Sequence, residues 1–280
     1  MQPVHVYARS WRLVAACLFA LSRANLPAMV FAIVFSQVPI NPPAFYRTVV
    51  VFSLLPALGA STIARVLRGV LTVDARGARI ARAGLAIDVP ASVIAGVRPW
   101  RVPLPGPGFA LVTTDGRRLP YGLQTRDPTP ALVALCDVAG VAAARTALRH
   151  PAIVYARAKA AAGAWRWRDL ALKFPLFALA PTAVLFNAHQ HIAYGGTFGE
   201  YYLLGLGPYL QTLAIYWVTT TIYCVLWASV WRGPAEGASL LAAHVAPSRA
   251  ARVRRAAEIA CRVLYYAGVP VLLALRFFAG

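Results

Sequence analysis

The sequence predicts a helical membrane protein of about five spans with a small β-rich domain inserted between the second and third. Three observations predict it. Hydrophobic residues make up 59% of the 280-residue chain and charged residues 13%, where soluble domains hold roughly 45–50% and 25%. Apolar runs of membrane-spanning length recur on both sides of one long polar stretch, residues 69–149. Within that stretch, short runs rich in β-branched residues alternate with turn signals.

The charge is lopsided, with 28 Lys and Arg against 9 Asp and Glu. Such an excess suits nucleic acid or an anionic membrane surface. Because the arginines crowd the ends of the apolar runs, lipid phosphates are the nearer anions and no nucleic-acid partner is expected. The four cysteines, Cys17, Cys136, Cys224 and Cys261, stand far apart without a CxxC pair. They read as small buried apolar residues.

Residues 1–23 hold Arg9, Arg12 and Arg23 around a short apolar run, with Trp11 among them, and predict an interfacial amphipathic segment. A cleaved signal peptide is the other reading; it would turn the arginine-rich insert outward, against the positive-inside tendency. Residues 24–68 predict a transmembrane hairpin: one span over 25–40, a break at Asn41-Pro42-Pro43, and a second over 45–64 with Arg65 and Arg68 at its exit. Arg23 and Asn25 can line a path through the membrane or, more plainly, snorkel from a helix end.

Residues 69–149 read as strands GVLTVD, ARIAR, LAIDV, AGVRPWRV and the pair in FALVTTDGRRLPYGL, where Asp115-Gly116 is the chain's best hairpin signal. A closing helix is expected from Asp127-Pro128 onward. Residues 150–173 predict a basic amphipathic helix beside the membrane. Its Arg157, Lys159, Trp165, Arg166, Trp167 and Arg168 are expected to bind anionic lipid, at about 1 kcal/mol per cation. Residues 174–280 supply spans over 174–194, 208–231 and 259–278, the last with Arg262 and Arg276 near its ends. Placing the amino terminus in the cytoplasm of a bacterial-type inner membrane puts nearly every arginine inside.

The hairpin followed by LTVDARGARIARAGLAIDVPASVIAGVR and GPGFALVTTDGRRLPYGL resembles the bacterial pleckstrin-homology-like membrane proteins, over residues 45–149. The resemblance implies a compact barrel that docks protein or lipid. It carries over no catalytic residue.

His189, His191 and Glu200 are the one set with metal-ligating chemistry. Two histidines two apart on a helix diverge by about 200°, so they converge only if the helix ends at Asn187. The alternative is a polar helix end facing outer headgroups. The GPG at 106–108 lacks the Lys-Ser/Thr and the helix of a phosphate loop, and no cofactor is expected. The favoured function is therefore non-enzymatic: an accessory, assembly or scaffold component that docks a membrane or cytosolic protein through Arg98, Trp100 and Arg101, and anionic lipid through its basic helix. A transporter or lipid-translocation subunit is the alternative, requiring polar groups to converge among the spans. A membrane-bound metalloenzyme using the histidine pair is the third.

Overall fold

The computed structural model describes residues 1–35, 42–163 and 166–278. It forms two compact units, Met1–Gly163 with Ala235–Ala257, and Ala164–Pro234 with Glu258–Gly280. The first unit is built on strands β1 (Gln2–Ala8), β2 (Arg68–Asp74), β3 (Gly77–Arg82), β4 (Leu85–Pro90), β5 (Ile94–Pro99), β6 (Gly108–Thr113) and β7 (Arg118–Gln124). They form one antiparallel sheet in the order β4-β3-β2-β1-β7-β6-β5. Two meanders, β2 to β4 and β5 to β7, thus flank a central strand drawn from the start of the chain.

That strand corrects the expectation for residues 1–23. The first half of β1 pairs with β2 (Gln2 opposite Leu71, Val4 opposite Gly69), and its second half pairs with β7 (Val6 opposite Leu123, Ala8 opposite Tyr121). Its alternation sends Val4 and Val6 into the core. An interfacial helix there would leave the central position of the sheet empty, with backbone donors and acceptors on β2 and β7 unpaired.

The core joins Val4, Val6, Leu71, Ile80, Phe109, Leu111 and Leu123 to Leu132 and Leu135 of α4 (Thr129–Asp137) and Ala144 of α5 (Ala143–Leu148). The closing helix is therefore two helices. They are split at Gly140, whose φ of 70° is left-handed and suits a residue without Cβ. The Asp127 carboxylate accepts from the Thr129 N–H at 2.9 Å and starts α4. The Asp115-Gly116 hairpin joins β6 to β7, with Gly116 at φ 77°.

The sheet runs into the membrane hairpin without a linker. β1 ends at Ala8 and α1 (Arg9–Phe35) begins at the next residue. The return passes through α2 (Pro42–Val49), a π-helical turn (Val50–Leu54) and α3 (Leu55–Val66), with β2 starting at Arg68. At the π turn the Ser22 hydroxyl donates to the Ser53 carbonyl, and the Asn25 amide donates to the Ser53 hydroxyl, each at 2.8 Å. Such side chains satisfy groups that lipid cannot. The predicted end of the first span, residues 36–41, lies outside the described residues.

Residues 150–173 do not form one surface helix. α6 (Pro151–Ala161) buries Ala152, Ile153, Val154, Tyr155, Ala156 and Ala158. A helix apolar on nearly all sides is a packed element rather than one lying on a membrane. Val154, Tyr155 and Ala158 pack on Ala243 of α10 (Leu206–Val245) and Ala250 of α11 (Ala250–Phe278). The 3₁₀ turn Pro247–Arg249 joins those two helices.

The second unit holds α7 (Trp167–Ala171), the π turn Leu172–Leu176, α8 (Phe177–Tyr194), α9 (Gly199–Leu204) and the remainder of α10 and α11. Ala178, Cys224 and Tyr265 form its buried centre, ringed by Phe174, Phe177 and Trp227. Among the described residues, five helical stretches are long and apolar enough to cross a membrane: Arg9–Phe35, Pro43–Val66, Trp167–Tyr194, Leu206–Val245 and Pro247–Leu275. The protein thus combines a multi-pass helical membrane part with a separate seven-stranded sheet.

Candidate functional site

Three places gather the side chains that chemistry could use. The first is the junction between sheet and hairpin. Trp100 is 6% exposed and packs with Tyr7, Ala15 and Leu67. Its ring lies over Gly122 and Gly108, where a Cβ would come within 2.7 and 3.0 Å of it. The Arg12 guanidinium lies over the indole at 3.7 Å, and donates to the Val102 carbonyl at 3.3 Å. Trp100 therefore does not present a docking surface; it locks the loop after β5 to the first turn of α1. Arg98 and Arg101 remain exposed.

On the central strand beside this junction, burial and the nearby Arg68 push the His5 imidazole below its ordinary range. Burial raises the Tyr7 phenol.

The second place is a charge cluster in the first unit. The Arg254 side chain is 2% exposed and donates to both oxygens of Glu236, at 2.8 and 3.2 Å. The Tyr155 hydroxyl also donates to Glu236. It accepts from the Lys159 ammonium at 3.1 Å, and Lys159 reaches Glu236 at 3.2 Å. Burial pushes the Lys159 ammonium below its usual range; Glu236 pulls it back up, and Arg23 of α1 and Arg254 push it down further. Three helices, α6, α10 and α11, thus bring charge to one point. Of these residues, Lys159 stood out in the sequence as a lipid contact and Arg23 as a residue that lines a path or snorkels from a helix end. The signal for the rest was Glu236 itself, an isolated acid near the end of a long apolar run.

Of the other expected lipid contacts, Arg157, Arg166, Trp167 and Arg168 are exposed, and Trp165 lies outside the described residues.

The third place is at the far end of α8 in the second unit. Glu200 is 3% exposed. Its carboxylate accepts from the Gln190 amide at 2.6 Å and from the Thr212 hydroxyl at 2.7 Å, while its own backbone N–H donates to the Gln190 carbonyl oxygen at 3.1 Å. This clasp ties α9 to α8 and α10. It also corrects the metal reading. α8 continues through Tyr194, so His189 and His191 diverge. His189 stacks near Tyr216, with ring centroids 5.2 Å apart, and His191 meets the Asn187 carbonyl at 2.9 Å. Among the described residues no three His, Cys, Asp or Glu side chains are placed to share a metal ion. A shallow cleft of about 800 Å³ lies beside this clasp, lined by Phe186, Asn187, His191, Thr197 and Tyr209.

Compared with known proteins, the chain matches no family model, no curated protein and no solved structure.

Proposed function

We propose that the protein is a non-enzymatic component of a bacterial-type inner membrane, with its amino terminus in the cytoplasm. It acts as an accessory or scaffold subunit whose sheet domain docks a partner protein while its basic residues engage anionic lipid. The observation that carries the reading is the linkerless junction. Two adjacent strands, β1 and β2, continue directly into α1 and α3, and Arg12 and Trp100 brace the joint. A domain with an enzymatic or regulatory swing needs a hinge, and hinges sit in loops or element ends that absorb backbone rotation. A domain held in register with two spans instead offers a partner one fixed orientation, which lowers the entropy lost on binding.

The sheet order, two meanders closed by helices, supports a pleckstrin-homology-like docking domain. Arg98 and Arg101 supply an exposed basic face on it, suited to an acidic partner surface. Arg65 and Arg68, exposed where α3 meets the sheet, support the cytoplasmic assignment.

The test is site-specific photocrosslinking in native membranes, with the crosslinking residue at position 98 or 101 and a control at lipid-facing Val14. The expected result is one protein adduct of defined mass from 98 and 101, absent from the control and lost on co-purification of Arg98→Glu/Arg101→Glu. Lipid adducts alone, or the same pattern from all three positions, would overturn the docking role.

A further inference from the structure

We propose that the cleft between α8 and α10 binds an uncharged lipid whose head presents carbonyl oxygens, with a membrane quinone as its expected source. The inference goes beyond the docking role and does not depend on it.

Position is the first argument. The cleft lies within the second unit and measures about 800 Å³, inside the range of roughly 300–1,000 Å³ usual for small-molecule sites. Its walls follow α8 from Ala183 to His191 and α10 from Tyr209 to Leu213. Both belong to stretches long and apolar enough to cross a membrane. Ala183 and Val184 are exposed along it, so an occupant enters from the bilayer.

Polarity along the cleft is the second. Ala183, Val184 and Leu213 line the end deeper in the spans, whereas Asn187, His191, Thr197 and Tyr209 line the end nearer the connection between the two helices. Ala183 and His191 stand about 12 Å apart along α8, at roughly 1.5 Å per residue. That gradient matches an amphiphile lying alongside the lipids, with its tail inward and its head at the membrane boundary. The polar end also holds unused donors. The side chains of Asn187, Thr197 and Tyr209 form no hydrogen bond with a described residue, and His191 engages only its Nδ1, on the Asn187 carbonyl at 2.9 Å.

Ligand chemistry is the third. No Asp, Glu, Lys or Arg lines the cleft, and the neighbouring Glu200 carboxylate is taken by Gln190 and Thr212. A charged head would therefore lack a counter-ion at the edge of the hydrocarbon. Amide, imidazole and hydroxyl groups all donate to carbonyl oxygens. They stand on both sides, Asn187 and His191 on α8 and Tyr209 on α10, which suits a head with carbonyls at opposite edges. Phe186 and Tyr209, an edge-to-face pair with centroids 5.0 Å apart, favour a flat ring over a glycerol ester.

The experiment uses the full chain in detergent, labelled with a short-tailed photoreactive azidoquinone, and maps adducts by peptide mass spectrometry. Unlabelled quinone and dioleoylglycerol serve as competitors. The variants are Asn187→Leu/Tyr209→Phe, which removes two donors but keeps the Tyr209 ring, Ala183→Phe, which fills the cleft, and Tyr202→Phe on exposed α9 as control; melting curves verify that each is folded. Wild type and the control are expected to be labelled within residues 183–213, and unlabelled quinone but not dioleoylglycerol to suppress this. Labelling should fall about tenfold in the double variant, as two lost hydrogen bonds imply, and similarly in Ala183→Phe. Equal suppression by both competitors would overturn the quinone and leave a site for uncharged lipid in general. Adducts spread over the lipid-facing helices, or equal labelling of wild type and both cleft variants, would overturn the site. None of these substitutions touches positions 98 or 101, so the docking role and the quinone site fail separately.

Discussion

Trp100 shows how the fate of one side chain depends on residues remote in sequence. Between Arg98 and Arg101 and ahead of a proline-rich loop, it reads as a contact residue, because functional contacts often sit on loops. Its actual seat is made by Gly108 and Gly122, whose missing Cβ atoms give the indole room, and by Arg12, which covers it. Nothing local to Trp100 reveals those partners. The arrangement makes Gly122→Ala an overpacking change, since the added carbon would stand 2.7 Å from the ring. It is expected to cost about 1–3 kcal/mol, read as a lower melting temperature in detergent. Gly96→Ala, where the added carbon would meet Val112 at an ordinary 3.6 Å, should change little. Equal melting of the two variants would show that the indole has slack.

At the level of elements, β1 is the informative case. Val4-His5-Val6-Tyr7 carries a visible period-two alternation, with the two valines on the core face. What the local pattern lacks is a partner: β2 and β7 lie far along the chain, and the pairing is set only when the hairpin brings α3 back to the sheet. By contrast, β2, β3 and β4 pair with sequence neighbours across short turns and are legible as a meander. Removal of residues 2–8 is expected to separate the two meanders and expose the core of the domain. Limited trypsin digestion checks this: cleavage at Arg79 and Arg82 should approach the rate in denatured protein, whereas unchanged protection would mean that β1 is dispensable. The same logic explains α6. Its alanines and Lys159 look like a surface helix until Ala243 and Ala250 are placed against it.

For the molecule as a whole, the scarcity of acids makes each one a fixed point. Asp and Glu number 9 against 28 Lys and Arg, and two of the acids, Glu236 and Glu200, tie helices together, the one through cations and the other through neutral donors. Arg254→Met would leave the Glu236 carboxylate partly stranded, at a cost of about 3–5 kcal/mol. Arg254→Met/Glu236→Met should recover much of that loss, because apolar side chains of similar volume replace a buried pair at little net cost. Thermal unfolding of the two variants in detergent distinguishes them; a double variant as unstable as the single would mean that Glu236 is not the source of the penalty.

Membrane character, the number of spans and the approximate positions of the last four, the inserted domain and most of its strands follow from composition and periodicity, because burial in lipid or in a sheet face is repeated over many consecutive residues; the first span instead begins at Arg9, well before the expected residue 25. The Asp115-Gly116 turn and the Asp127 start of α4 follow from local backbone chemistry. The central strand, the seat of Trp100, the clasp on Glu200 and the cluster on Glu236 do not. Each is a meeting of single residues from separate elements, and one polar or aromatic residue leaves no periodic trace of what it will face. Those meetings are fixed by register and helix packing, which arise only when the whole chain is folded.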